Sequence, residues 1–522
     1  MTPKLTVVAA LCAALLAVGI EAKTLRWSTQ GDPQTMDPYS QNEQLTNNVN
    51  GQIYEKLVDR DRQLNVVPVL ATSWQQMGPN AWRFKLRPNV KFHDGTPLTA
   101  DDVVFSIERA KHPNSQLRQY ANAAGTPTKI DDLTVELKQE KPNPILLEHL
   151  TTIQIMSRAW SVKNKTEKPL DFKNKEETFA SRNANGTGPY MLVSREPDIK
   201  TVLKKNPNWW NKHEGNVDEV IYRPIASDGT RVAALLSGEV DLIQDPPPQD
   251  LARLRTNPQV KVIDGMENRI VFFGFDQFRD ELQYSSVKGK NPFKDKRVRQ
   301  AFYQAIDIEA IKAKTMRGMA FPTGANTPSD KPSTPEIEKR FPYDRAAAKK
   351  LMADAGYPNG FEVTLDCPNN RYINDEEICV AVAAMLAQID VKVRVNAMPK
   401  ATYFPKVEKH DTSMYMLGWG GAITDAQTTL DPVLHSKDGK GKGDYNYGRY
   451  SNPKLDELTD QAATETNADK RKAIITEALL AHKNEFNNLP LHRQVIPWAS
   501  RSGVKVVHRA DNWVEVAWVN VE

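Results

Sequence analysis

The segment Met414 to Gly421 (MYMLGWGG) contains the residues best suited to contact a ligand. Its apolar half predicts a strand, which ends in Gly418, Trp419 and Gly420. Glycine allows a ligand to approach the backbone closely, and tryptophan offers a large apolar wall with one polar N–H group. A buried tryptophan beside an ordinary turn at a strand end accounts for the same residues equally well.

A second candidate is Arg371, in the segment Asn369-Asn370-Arg371-Tyr372. This segment follows a strand pattern, FEVTLDC, and α/β proteins often present ligand-binding groups after a strand. A guanidinium group can bind a carboxylate through two parallel hydrogen bonds. A solvated arginine in a surface loop is the alternative interpretation.

Motifs for catalysis or metal binding are not found in the sequence. It has no Gly-x-Ser-x-Gly or His-Glu-x-x-His pattern, and the nine histidines are scattered. The run from Gly439 to Gly443 (GKGKG) lacks the Lys-Ser/Thr ending of a phosphate-binding loop and predicts a flexible loop. We interpret His93, beside Asp94, as a surface pair. We therefore expect no enzyme activity, no metal site and no cofactor.

The stretch from Leu86 to Ala110 predicts a strand around Val90 and Phe92, a turn at Asp94-Gly95 and then a helix. Thr99 stands three residues before Asp102, which is the pattern of a capping box at a helix start. These features indicate a structural element rather than a reactive site.

Composition and charge indicate a soluble globular chain with more than one domain. The chain has 522 residues, and its net charge of +4 is spread over 69 basic and 65 acidic residues. Because there is no basic stripe, we expect no nucleic-acid partner. The paired glycines in Asn185-Gly186-Thr187-Gly188 predict a tight backbone crossing between lobes. Strands alternate with helices after Pro292, which predicts an α/β fold.

The first residues predict a cleaved export signal. Lys4 gives a positive start, and Leu5 to Ile20 is apolar and without charge. A membrane anchor is the alternative, but this run is shorter than the roughly 20 residues that span a bilayer. The expected mature chain begins near Lys23 and retains two cysteines, Cys367 and Cys379. An even number in an exported chain predicts a disulfide, which we prefer to metal ligation.

Four motifs resemble those of the extracellular solute-binding proteins of peptide and nickel ABC importers. They are Lys91 to Val103 (KFHDGTPLTADDV), Asn185 to Tyr190 (NGTGPY), Asn206 to Trp210 (NPNWW) and Tyr450 to Leu458 (YSNPKLDEL). The resemblance implies a periplasmic protein that captures a peptide or peptide-like small solute between lobes and delivers it to permease subunits in the inner membrane. It is expected to act as a monomer. A carrier for a non-peptide solute, such as a nickel complex, an opine or a sugar, is an alternative. An exported hydrolase is a second alternative.

The resemblance also implies the architecture, a type II periplasmic-binding-protein-like α/β fold. Two large lobes joined by a hinge would enclose the ligand, and a smaller lobe would be inserted early in the chain. The expected boundaries are 1–22 for the signal peptide, 23–56 with 184–270 and 496–522 for lobe I, 57–183 for lobe II, and 271–495 for lobe III.

Individual site residues follow from the same resemblance. Peptide-binding relatives place a Gly-Trp pair at the cleft, followed three residues later by an aspartate that pairs with the ligand's amino group. Here that position is Ala422, and Asp425 lies three residues further on. The departure makes an ordinary free-amine peptide a less obvious ligand. Asp32, Tyr120 and Asp245 fall near other cleft-lining positions of relatives.

Overall fold

A computed structural model describes residues 22–172, 174, 176–329, 333–369, 371–421, 423–439 and 442–522. The expected signal peptide, apart from residue 22, lies outside the described residues, and so does Ala422. Within the described ranges, no helix is both long enough and apolar enough to cross a membrane.

Strands and helices both occur throughout the chain, and they alternate most regularly after Pro292. The strands are β1 (Thr24–Thr29), β2 (Val58–Arg60), β3 (Val66–Pro68), β4 (Ala71–Gly78), β5 (Ala81–Leu86), β6 (Thr126–Asp131), β7 (Thr134–Lys138), β8 (Tyr190–Glu196), β9 (Lys200–Lys205), β10 (Glu219–Pro224), β11 (Leu242–Gln244), β12 (Val260–Phe275), β13 (Ala320–Pro322), β14 (Glu362–Pro368), β15 (Lys392–Met398), β16 (Met414–Gly420), β17 (Asn488–Arg501), β18 (Val504–Lys505) and β19 (Asn520–Val521). The helices are α1 (Gln44–Gly51), α2 (Ala100–Ala110), α3 (Arg118–Ala124), α4 (Leu146–Leu150), α5 (Arg158–Lys163), α6 (Asp228–Ser237), α7 (Pro248–Thr256), α8 (Lys296–Ala305), α9 (Ile308–Ala310), α10 (Pro335–Glu338), α11 (Arg345–Asp354), α12 (Asp375–Leu386), α13 (Lys400–Glu408), α14 (Gln427–Thr429), α15 (Pro453–Thr464) and α16 (Ala468–Asn484).

The largest sheet runs through most of the chain. Its strands pair in the order β15-β14-β16-β12-β17-β11-β1-β10-β9-β8, and β13 pairs with β17 off this path. Parallel pairs occur near both ends, where β1 lies beside β10 and β11, and β14 lies beside β15 and β16. The mixed sheet and the helices confirm the predicted α/β class.

Two long antiparallel strands, β12 and β17, connect the two ends of this sheet. Their first register pairs Val260 with Arg501 and continues to Met266, and their second register begins at Ile270, which pairs with Arg493. The irregular stretch between the two registers bends the pair locally, as a bulge does. The middle of the large sheet is therefore also its least regular part.

Side chains on β12 and β16 alternate between two buried apolar clusters. One cluster includes Val271 and Phe273 of β12, and the other includes Ile270 and Phe272. Because successive side chains of a strand point to opposite faces, both faces of this part of the sheet are covered. A third cluster joins β1 and β10 with the smaller sheet described next.

A separate four-stranded antiparallel sheet, in the order β4-β5-β7-β6, packs with helix α2. The predicted capping box is confirmed, since the backbone N–H of Thr99 donates to the Asp102 carboxylate over 2.9 Å. The predicted strand around Phe92 is wrong, because this stretch has one isolated bridge, from Lys91 to Pro97. Local turn bonds satisfy its backbone instead, such as that from the N–H of Phe92 to the carbonyl of Thr96 (2.8 Å).

The predicted tight crossing is present at Gly186 and Gly188. A Cβ at Gly186 would lie 2.0 Å from the carbonyl oxygen of Ile53, and one at Gly188 would lie 2.6 Å from it. The N–H of Gly188 donates to the same carbonyl over 2.8 Å. Only glycine fits where two backbones touch in this way.

The sequence motifs meet at this crossing. His93 is not a free surface residue, because its Nε2 lies 3.0 Å from the carbonyl of Gly188. The Asn185 amide donates to Asp94 over 3.0 Å, and the Asp94 N–H donates back to Asn185 over 3.1 Å. We call the set Glu55, His93, Asp94, 185–188, Trp209 and Trp210 the joint cluster.

Glu55 is the centre of the joint cluster. Its buried carboxylate accepts hydrogen bonds from the indole N–H groups of Trp209 (3.0 Å) and Trp210 (2.9 Å) and from the hydroxyl of Thr187 (2.7 Å). None of these donors is charged, so burial dominates and raises the pKa of Glu55 to about 7.

The predicted disulfide between Cys367 and Cys379 is confirmed. It joins the end of β14 to the first half of α12, and both cysteines are fully buried. The bridge therefore encloses the segment that contains Arg371 and Tyr372.

Candidate ligand-binding site

A cavity of about 1640 Å³ lies among three parts of the chain. One wall comes from residues within 42–60 and 111–154, a second from 267–269 and 509–513, and a third from 371–464. The strand pair β12–β17 runs through the second wall, and the irregular stretch between its two registers lies there. Segments distant in sequence thus enclose one space, as is common for small-molecule sites between lobes.

Trp419 forms part of the third wall. The side chain is half-buried, and its Nε1–H donates to the carbonyl of Thr428 over 2.9 Å. The centre of its ring lies 4.7 Å from that of Tyr445, which is exposed over 42% of its surface. Phe404 and Tyr447 line the same side of the cavity. This wall can pack against an apolar or aromatic part of a ligand.

The neighbouring glycines are required by the protein's own packing. A Cβ at Gly418 would lie 2.4 Å from the ring of Tyr372, and one at Gly420 would lie 2.2 Å from the carbonyl oxygen of Asn268. A Cβ at Gly421, in contrast, would meet no atom within 4 Å. Gly418 and Gly420 line the cavity, but strand packing rather than ligand approach explains why they are glycines.

Arg371 lies in the cavity wall and is accessible to solvent. Its backbone N–H and that of Tyr372 both donate to Asp375, over 2.9 and 3.0 Å, which fixes the start of α12. The guanidinium makes no ion pair or hydrogen bond with any other residue in the described part of the chain. The surrounding protein, and then the charge of Arg269, lower the pKa of Arg371.

The irregular stretch of β12 brings a second arginine to the cavity. Arg269 donates to the Glu267 carboxylate over 3.0 Å, and the amide of Gln494 donates to the same carboxylate over 2.9 Å. The oxygen of the Gln494 amide accepts the N–H of Ile373 over 3.1 Å. Arg269 is therefore neutralised within the protein, whereas Arg371 beside it is not.

Tyr120 belongs to the first wall, on α3, and its half-buried ring lines the cavity. The centre of the ring lies 6.0 Å from that of His149 on α4. Burial raises the pKa of Tyr120, so the hydroxyl stays protonated at neutral pH.

Asp32 and Asp245 are not among the residues that line the cavity. The carboxylate of Asp32 is held by Arg195, at 2.7 and 3.2 Å, and by the N–H of Asp198 at 2.9 Å. Asp245 has a positive φ of 53° and is accessible to solvent. Protein packed around its carboxyl group, and then the charge of Glu267, raise the pKa of Asp245 to about 7. The sequence analysis expected these two residues near the cleft, but neither of them lines the cavity.

Asp425 does not replace the amine-pairing aspartate that relatives carry at the position of Ala422. Both of its oxygens are bound by Arg471, at 2.7 and 2.8 Å. An ion pair of this geometry is satisfied within the protein. Ala422 itself lies outside the described residues.

Sequence reasoning missed several cavity residues, namely Glu267, Arg269, Tyr445, Phe404 and His149. The sequence GMENR interrupts the apolar pattern of β12, and this interruption was a usable indication of Glu267 and Arg269. Nothing local marks His149 or Phe404, because long-range folding alone brings them to the cavity.

Comparison with known proteins gives consistent matches. The family model for the bacterial extracellular solute-binding proteins, family 5, matches residues 65–441. Heme-binding protein A of Haemophilus influenzae is 28% identical over 477 residues, covering 85% of this chain and 82% of that protein. The glutathione-binding protein GsiB of Pectobacterium atrosepticum is 26% identical over 448 residues, covering 84% and 82%.

The fold is likewise similar to a solved structure, the periplasmic binding protein DppA from Helicobacter pylori in complex with the peptide STSA. The TM-score is 0.77 at 24% identity, and the match covers 96% of this chain and 98% of that one. Together with the cavity between distant segments, the family match over most of the chain establishes that this protein belongs to family 5 of the bacterial extracellular solute-binding proteins, the solute-capturing components of ABC importers.

Proposed function

We propose that this protein captures a small peptide-like solute that carries a carboxylate, and delivers it to permease subunits in the inner membrane. The relatives named above bind glutathione, heme or a peptide according to their names, and all of these ligands carry carboxylates. The observation that carries the proposal is Arg371, a cation in the cavity wall without an acidic partner among the described residues.

The electrostatics of the cavity support an anionic group at this point. Glu267 already satisfies Arg269, so that pair adds little net charge. Burial first, and then the repulsion from the positive charge of Arg269, lower the pKa of Arg371. A ligand carboxylate would remove this repulsion and pair with the guanidinium in a bidentate geometry.

Trp419 and Tyr445 would then pack against the body of the ligand. We propose that the lobes lie at 23–56, 184–270 and 496–522 for lobe I, at 57–183 for lobe II, and at 271–495 for lobe III. Strands β12 and β17 would act as the hinge, since their pairing changes register at the cavity. Ligand binding would favour the closed form, and the permease would recognise it.

We further propose that the protein is exported, loses residues 1–22, and acts in the periplasm as a monomer. No chemical step is part of this function, so we propose that the protein is not an enzyme. N-terminal sequencing of the exported protein should return a start near Lys23, and an intact Met1 would contradict this part.

Calorimetry with a small ligand panel tests the proposal. The panel contains glutathione, short peptides with a free or an amidated C-terminus, an opine and a nickel–histidine complex. We expect ligands with a free carboxylate to bind, and amidation to weaken binding at least about 10-fold. Arg371→Met should weaken binding roughly 30-fold or more, the effect of truncating one partner of a close charge pair.

Arg394→Met is the matched control, because Arg394 is exposed on the neighbouring strand β15 and is not a cavity residue. It should bind as wild type does. Equal affinity for free and amidated peptides, or an Arg371→Met variant that binds normally, would contradict the proposal. Binding of the nickel complex alone would favour the non-peptide alternative.

A further inference from the structure

His149 is a cavity residue that no sequence motif marks. It lies on the short helix α4, is half-buried, and stands beside Tyr120 in the first wall, whereas Trp419 belongs to the third. Asn143, which precedes this helix, contacts its ring: the Asn143 Nδ2 and the His149 Nδ1 are 3.1 Å apart.

The orientation of the Asn143 amide is set by two backbone groups, independently of His149. Its Nδ2 donates to the carbonyl of Ala123 over 2.9 Å, and its Oδ1 accepts the N–H of Ile145 over 3.1 Å. Rotating the amide would place oxygen against oxygen and N–H against N–H. The nitrogen of Asn143, a donor, must therefore face His149.

This contact fixes the tautomer of the imidazole ring. Because the Asn143 Nδ2 donates, the His149 Nδ1 has to accept, and the proton of the neutral ring is then on Nε2. Burial lowers the pKa of His149 to about 4, so the ring is neutral at pH 7. Asp425, whose charge opposes this shift, is itself paired with Arg471 at 2.7 Å. Nε2 makes no hydrogen bond within the described part of the protein.

We propose that His149 is a specificity-determining residue that Asn143 holds in its Nε2–H form, so that it donates a hydrogen bond to a carbonyl or carboxylate oxygen of the captured solute. The inference rests on the proposed function and deepens it, because it assigns an acceptor group to the part of the ligand nearest lobe II. It also implies that His149 does not ligate a metal, because Asn143 occupies Nδ1 and the proton occupies Nε2.

Nitrogen NMR of protein labelled with ¹⁵N-histidine tests the tautomer without any ligand. The His149→Gln variant identifies the His149 signals by their loss, and melting curves confirm that it is folded. At pH 7 we expect a protonated Nε2 and an unprotonated Nδ1. A protonated Nδ1, in either a neutral or a charged ring, would overturn the inference.

Calorimetry with glutathione tests the donor role. His149→Gln keeps an N–H group near the position of Nε2, and should bind within about threefold of wild type. His149→Phe keeps a ring beside Tyr120 but lacks the donor, and should bind roughly 3- to 10-fold more weakly, as expected for one neutral hydrogen bond. Equal binding by His149→Phe, or equal losses in both variants, would overturn the donor role.

Two further outcomes separate this inference from the proposed function. If wild type binds neither glutathione nor any peptide, the proposed function fails together with the donor role, and the NMR result still decides the tautomer. If haem gives an absorption change with wild type that His149→Gln abolishes, Nε2 ligates iron and the inference is wrong.

Discussion

The joint cluster and the cavity differ in what their residues contact. Glu55, His93 and the segment 185–188 are bound to other residues of the protein, and none of them lines the cavity. In the cavity wall, the guanidinium of Arg371 contacts the ring of Tyr372 at 5.2 Å but has no ion pair or hydrogen bond in the described part of the chain, and the Nε2 of His149 has no hydrogen bond there. The first region is complete without a ligand, whereas the second region presents groups that a ligand can satisfy.

This difference explains why the sequence indicates the family more readily than the ligand. Three of the four motifs that carry the resemblance supply residues to the joint cluster or to its flanking turn and helix cap. These residues hold two backbones together, a task that does not depend on which solute is bound. The residues that we propose as ligand contacts, Arg371, Trp419 and His149, lie far apart in sequence.

The largest expected effect is on stability at the joint. Gly186→Ala would place a Cβ 2.0 Å from the carbonyl oxygen of Ile53, so the crossing backbones must separate. We expect the free energy of unfolding to fall by about 3 kcal/mol or more, with unchanged affinity per folded molecule. Denaturant melts and calorimetry check both. Gly78→Ala is the control, because its Cβ would meet no atom within 4 Å and Gly78 does not line the cavity. Equal stability of the two variants would show that the backbones of Gly186 and Ile53 do not approach each other this closely.

The disulfide links stability to binding on the cavity side. Replacing both Cys367 and Cys379 by serine should lower the free energy of unfolding by about 3 kcal/mol in the chain-entropy model. Unlike Gly186→Ala, the variant without the disulfide should also bind the ligand more weakly. The segment between the two cysteines carries Arg371 and becomes less ordered when the bridge is absent. Denaturant melts and calorimetry under non-reducing conditions measure both effects. Wild-type affinity would show that the bridge does not position Arg371.

Trp419→Ala tests the cavity wall itself. We expect binding to weaken by roughly 1–3 kcal/mol, the size of losing an aromatic hot spot, with a smaller change in melting temperature. Trp82→Ala, in the four-stranded sheet outside the cavity, should change stability but not affinity. If Trp419→Ala instead destabilises by about 3–5 kcal/mol and binds normally, Trp419 is a core residue.

The smallest effect concerns the pH dependence of the joint cluster. Burial raises the pKa of Glu55 to about 7 in the folded protein, above its value in the unfolded chain. The folded state therefore binds more protons, and the stability that this proton contributes is lost as the pH rises through 7. Between pH 6 and pH 8 wild type should lose about 1 kcal/mol from this group.

The Glu55→Gln variant has a side chain at this position that does not ionise, so its melting temperature should fall less between pH 6 and pH 8. Glu515, whose pKa burial also raises to about 7, is present in both proteins and cancels in the comparison. Parallel curves for the two proteins would show that Glu55 is already ionised in the folded state at pH 6.

The sequence was sufficient for the features that depend on local patterns. The capping box at Thr99, the α/β alternation and the cysteine pair all follow from neighbouring residues or from simple counting, and the structure confirms them. The failed strand around Phe92 shows the limit of such reasoning. Strand-forming residues predict extended backbone that pairs in a sheet. Here the hydrogen bonds of the Asp94-Gly95 turn satisfy the backbone groups instead.

The cavity could be predicted only in part, for a physical reason. Arg371, Trp419 and Tyr120 reach it, but Asp32 binds Arg195 instead. Whether an acidic residue meets a ligand or an internal arginine depends on a partner more than a hundred residues away. His149 was missed because its place depends on contacts between two segments, the α3 residues Tyr120 and Ala123 and the stretch from Asn143 to His149, which no local pattern reveals.

Native mass spectrometry of the exported protein, without added ligand, tests the central claim most directly. We predict that wild type and Arg394→Met each carry one small solute per chain, that this solute contains a carboxylate, and that folded Arg371→Met is empty. A solute without an acidic group, or an Arg371→Met variant that retains the wild-type solute, would contradict the account.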